Sequence, residues 1–178
     1  GRYGPAALDA LANGDQPAAQ FLRGLDLFLK GQTEQAAIQF QASAGPRREY
    51  FPAAFYLGAC LASTGRDRDA AGVWQLAMGK EPRPSFAYTM FADARLREGQ
   101  AGSVIDVLRP VLERTPEDLE IAKRLALAYV MSGKYAEAVP VLETYLAKSP
   151  ADADMLFSSI MAQYEVTTRT RVSLSDAE

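Results

Sequence analysis

The sequence predicts an all-α array of about four helix-turn-helix hairpins closed by a C-terminal capping helix, and three observations predict it. Glycine recurs at positions 31, 65, 99 and 133, a constant period of 34 residues. Small and bulky side chains keep one phase around each glycine. The intervening stretches carry apolar residues at helical spacing, and prolines at 82, 116 and 150 close the last three periods.

Seven residues before the glycines stand Gly24, Gly58, Ala92 and Ala126, and five after them stand Ala36, Ala70, Val104 and Ala138. Small side chains here let two paired helices approach closely. Four positions further on, Phe40, Trp74, Leu108 and Leu142 are large enough to fill the space between one hairpin and the next. The glycine ends each first helix in the left-handed conformation, and the later proline stops the second helix.

In chain order, Pro5 to Ala12 predicts a short N-terminal cap within 1–16, before the Asn13-Gly14 break. Four units follow at 17–50, 51–84, 85–118 and 119–152, the first of them divergent. Unit one carries Gly45-Pro46, with Arg48 where the closing proline would stand, so its second helix should end early. Pro110 lies well inside a helix, where a lost hydrogen bond and a ring clash predict a bend, whereas Pro140 lies near a helix start and is better tolerated. Asp152 can cap one more helix through Met155, Phe157, Ile160 and Tyr164. That helix is expected over 153–166, covering the apolar end of the stack, and 167–178 is expected to be a flexible polar tail.

Composition narrows the functions. The 178 residues are 48% hydrophobic, enough for a substantial core. Nineteen basic against 22 acidic side chains leave a net charge of -3 without blocks of like charge, which disfavours nucleic acid as a partner. No apolar run is long enough to insert in a membrane. Histidine is absent, removing the usual general base and metal ligand. Cys60 is the one cysteine, placed in an apolar run that predicts a buried, unreactive thiol. Phosphate loops, nucleophile elbows and metal motifs are missing, so neither an enzyme nor a cofactor site is expected. The chain begins Gly1-Arg2-Tyr3-Gly4-Pro5 without methionine, as expected of a piece of a longer protein.

This register resembles the tetratricopeptide repeat, best in FPAAFYLGACLASTGRDRDAAGVWQLAMGKEP and next in LALAYVMSGKYAEAVPVLETYLAKSP. The resemblance implies a right-handed superhelical solenoid whose concave groove holds a peptide or partner domain. Carried over position by position, it implies a groove of Phe21, Leu25, Phe28, Phe55, Ala59, Phe86, Thr89, Asp93, Arg97, Lys123, Leu127 and Met131. Phe21, Leu25 and Phe28 also recur as a helix addresses plain core, and Asp93, Arg97 and Lys123 also suit a solvated face. Of the lysine and asparagine clamp that some family members use for chaperone tails, only Lys123 is present, which disfavours that role.

Unit two, in YFPAAFYLGACLASTGRDRDAAGVWQ, is also similar to repeat tails of bacterial proteins with a von Willebrand factor type A domain. That similarity implies the C-terminal part of a larger, exported protein, while a cytoplasmic location stays open. Another domain of the same protein is then a candidate occupant of the groove. Self-association through the ends of the stack is the alternative to groove binding.

Overall fold

The computed structural model describes residues 9–10, 13–45, 51–78 and 85–175. The expected N-terminal cap at Pro5 to Ala12 lies mostly outside the described residues. These residues form nine helices and no strand: α1 (Gln16–Leu29), α2 (Thr33–Ala44), α3 (Phe51–Ser63), α4 (Asp67–Met78), α5 (Ser85–Arg97), α6 (Ala101–Arg114), α7 (Leu119–Met131), α8 (Tyr135–Lys148) and α9 (Ala153–Ser175). The chain divides into two compact units, the first ending at Glu98 and the second beginning at Gly99. Within each, successive helices pack against one another.

The repeat positions occupy the places their chemistry calls for. Gly31, Gly65, Gly99 and Gly133 all have positive φ, between 68° and 76°. At Gly65 the turn is closed by Arg66 N–H donating to the Leu61 carbonyl at 2.9 Å, and Lys134 repeats this on Tyr129 after Gly133. In the first unit, Gly24 and Gly58 are buried beneath Phe40 and Trp74. A Cβ built on Gly58 would lie 2.4 Å from Trp74 Nε1, so only glycine allows the two helices to come this close. The indole N–H donates to the Phe55 carbonyl at 3.3 Å, which fixes the ring over the glycine. In the second unit Leu108, Ala126, Ala138 and Leu142 are all fully buried. Removing one such leucine from water is worth about 1.5–3 kcal/mol.

Helix α2 stops at Ala44 with Gly45 at φ 68°, two residues short of the register kept by α6 and α8. Gly45 thus supplies the early exit that the missing proline would otherwise make. Helix α6 runs through Pro110 without interruption. Both Pro110 and Asp106, whose carbonyl loses its helical donor, are exposed, so water can serve that carbonyl.

The last helix departs from expectation. Residues 167–175 are helical and continue α9 to Ser175, where a flexible tail was predicted. No glycine or proline interrupts the segment. Thr167 and Thr170 turn their hydroxyls back to the Gln163 and Val166 carbonyls at 2.8 and 2.9 Å, and Arg169 lies over the Tyr135 ring at 5.0 Å. Without the turn glycine the helix runs on, its threonine hydroxyls satisfied on its own backbone.

Gly58→Ala is expected to destabilise the protein by about 1–3 kcal/mol, since Trp74 is buried and cannot step aside. Gly72, also helical, has nothing within 4 Å of an added Cβ, so Gly72→Ala should stabilise by ~0.5–1 kcal/mol. Urea denaturation midpoints of the two variants check the pair, and equal shifts would remove close approach as the reason for glycine at position 58.

Candidate peptide-binding surface

Nine of the twelve groove candidates lie in the first unit, and they separate by role. Phe21 and Phe28 pack into an aromatic cluster with Phe40 and Tyr56, at centroid distances of 5.6 to 6.4 Å, and Phe40 stacks on Tyr56 at 5.2 Å. The cluster ties the first hairpin to α3. The side-chain area of Phe21 and Phe28 is largely spent on packing, and Leu25 is half-buried beside them in sequence.

Phe55 and Phe86 are brought together across α3 and α5, edge to face at 4.7 Å. Phe55 is half-buried while Phe86 is 42% exposed. Ala59, one turn beyond Phe55, is half-buried and leaves a shallow floor. Thr89 departs from its expected place on the groove wall. It is buried, and its hydroxyl donates to the Phe86 carbonyl at 2.8 Å. A β-branched hydroxyl residue inside a helix satisfies itself this way, so it offers a partner nothing.

Arg97 reaches across to Asp67 at the start of α4, its Nε and Nη2 donating to Oδ1 at 3.0 and 2.6 Å. Asp93 adds to the negative field at the guanidinium. This half-exposed pair forms a charged edge at one end of α5.

In the second unit Lys123, Leu127 and Met131 share one face of α7 at successive turns. Met131 is exposed and Leu127 half-buried. Lys123, however, is committed within the fold. Its Nζ donates to Asp152 Oδ2 at 2.6 Å, and the Tyr145 hydroxyl donates to the same oxygen at 2.7 Å. The other oxygen, Oδ1, accepts from the Met155 N–H at 3.2 Å and so caps α9. One carboxylate thus joins α7, α8 and α9. The hydrogen bond from Lys123, then that from Tyr145, holds the Asp152 carboxyl down at about 2, and the same contacts raise both donors.

Cys60 is buried, and burial pushes its thiol up to about 11, which leaves no thiolate for chemistry near neutrality. Among the described residues no group of histidine, cysteine, aspartate or glutamate has the arrangement of a metal site, and no helix is long and apolar enough to cross a membrane.

Residues 95–164 match the model of the tetratricopeptide repeat family. Over that stretch the chain carries the tetratricopeptide repeat. Its fold is similar to solved structures of MamA. The crystal structure of that protein superimposes with a TM-score of 0.77 at 16% identity, covering 89% of this chain and 86% of that one. A mutant of MamA gives 0.71 at 17% identity, covering 90% and 87%. MamA from Desulfovibrio magneticus RS-1, residue 41 to its end, gives 0.67 at 17% identity, covering 92% and 98%. At such identities the likeness is one of fold. No curated protein matches the sequence.

The last repeat shows what sequence reading missed. Asp152 is legible as a helix cap, but its bonds to Lys123 and Tyr145 span 29 and 7 residues and leave no local mark. Because its folded value, about 2, lies below the ordinary 3.8, the stabilisation is present above about pH 4 and is lost as pH falls through about 2. Asp152→Asn should therefore be less stable than wild type at neutral pH and lose less between about pH 4 and 2. Denaturant midpoints across that range check the sign, and parallel curves would show that Asp152 carries no linked proton.

Proposed function

We propose that the chain is a non-enzymatic protein-interaction scaffold that captures a peptide or a partner domain on the first-helix faces of its repeats. The observation that carries this reading is the Phe55–Phe86 pair, two aromatic rings meeting edge to face at the surface with 42% of Phe86 open to solvent. Aromatic side chains fixed by packing lose little entropy when a ligand covers them, which makes them efficient anchors. Arg97 and Asp67 carry their charge at the opposite end of α5 from Phe86, so an apolar anchor suits the aromatic pair itself. In the second unit Met131 and Leu127 offer a further apolar strip, Met131 being adaptable in shape.

A second reading, self-association, is favoured by α9. Leu156, Phe157, Ile160, Met161 and Tyr164 are all exposed on it, Phe157 by 65% and Ile160 by 57%. Ile160 stands in the register of Ala126, which is fully buried. A bulky residue exposed at that place suits a copy of the same helix laid alongside it.

Two measurements separate the readings. Peptides selected on the whole chain from a random library should bind Phe86→Ala about ten- to a hundredfold more weakly, the cost of losing an aromatic hot spot. Unchanged binding would sink the groove reading. Light scattering at rising concentration should show a dimer if α9 pairs with itself, and Phe157→Glu with Ile160→Glu should return it to monomer. A concentration-independent monomer would discard self-association.

A further inference from the structure

Helix α9 is packed on one side only. Met155, Ser159 and Ala162 are buried on the side that meets α8, and Gln163 leans the same way, donating from Nε2 to Glu143 Oε1 at 3.4 Å. At about 100° per residue, Leu156, Phe157, Ile160, Met161 and Tyr164 fall on the far side, and each is between 38% and 65% exposed. From Leu156 to Tyr164 the helix has no charged residue. A helix face meant for water carries charge, and contiguous apolar surface of this kind marks an interaction site.

Among the described residues nothing covers this face. In the first unit the second helix of a hairpin lays Phe40 or Trp74 on a glycine that has no room for a Cβ. Helix α9 has Ile160 at that register, so a covering helix of the same repeat pattern would be held off by the isoleucine side chain. The chain also runs on as helix past Thr167 to Ser175, beyond the point at which such a helix would turn back. The charged residues of α9 are Asp154 and Glu165 against Arg169 and Arg171, which cancel, so an anionic lipid surface finds no attraction.

The same face on a second copy does fit. Read in either direction the stripe has an aromatic ring at each end, Phe157 and Tyr164, and an aliphatic pair in the middle, Ile160 and Met161. Reversing one helix against another about a point between 160 and 161 sets ring on ring and Ile160 on Met161. The same reversal brings the exposed Arg171 of one copy within about one turn of the exposed Asp154 of the other, whereas a parallel pair would set like charges side by side. Glu165 and Arg169 already face each other on the flank, at 3.7 Å. Five side chains about half open present roughly 500–600 Å² per copy, so two copies would bury about 1,000–1,200 Å², the size at which specific pairing begins.

We propose that α9 pairs antiparallel with α9 of a second copy, on a twofold axis between Ile160 and Met161. The pairing rests on the self-association reading and gives it a helix, a direction and a register. An interface closed by a twofold axis ends at the dimer and builds no filament.

Sedimentation equilibrium and thiol cross-linking of the whole chain test this. Wild type should dimerise as its concentration rises through the micromolar range. Cys60 is buried and should form no link, and new cysteines at exposed places on α9 do not endanger folding. Under mild oxidation Met161→Cys should form a disulfide-linked dimer with itself. Phe157→Cys and Tyr164→Cys should each link about tenfold more slowly alone than when mixed, because antiparallel packing sets two like positions about 10 Å apart along the axis. Phe157→Cys linking to itself as fast as in the mixture, or a dimer that forms none of these links, would overturn the pairing and leave self-association standing. A monomer at every concentration would overturn both, and its flotation with anionic vesicles would give the face to lipid.

Discussion

Everything in the first unit depends on how closely its paired helices approach, and Gly58 under Trp74 sets that distance. A hairpin of two short amphipathic helices is marginal alone, because nucleation is costly and each helix buries only one face. When the small position lets the backbones close up, the bulky residue of the second helix covers it and also meets the next hairpin. Phe40 does this twice over, lying on Gly24 and stacking on Tyr56 of α3. Stability is then passed from neighbour to neighbour, the nearest-neighbour logic of repeat proteins. It also explains why the surface is free to vary: the closures need only small, large and glycine positions, which leaves the outward positions open to other demands.

That division of labour decides what was legible beforehand. The fold was, because Gly31, Gly65, Gly99 and Gly133 and their small and bulky companions act through near neighbours in a fixed phase. Even the early stop of α2 was readable from Gly45-Pro46. The surface was far less so. Thr89, Arg97 and Lys123 occupy positions that face ligands in the family the sequence resembles, yet Thr89 turns to its own helix, Arg97 to Asp67 and Lys123 to Asp152. Those choices depend on partners about 30 residues away or on a rotamer, and a repeat register carries neither. The length of α9 was hidden for a related reason. A missing turn glycine was visible at Thr167, but whether the chain then frays or stays helical depends on docking contacts such as Arg169 on Tyr135.

Commitment of the polar candidates changes what the first-helix faces can recognise. With Lys123 held by Asp152 and Arg97 by Asp67, capturing a ligand's carboxylate there would mean breaking an existing pair and leaving an aspartate without its partner. Apolar and aromatic contacts carry no such cost. The Phe55–Phe86 side is thus suited to shape and hydrophobic burial.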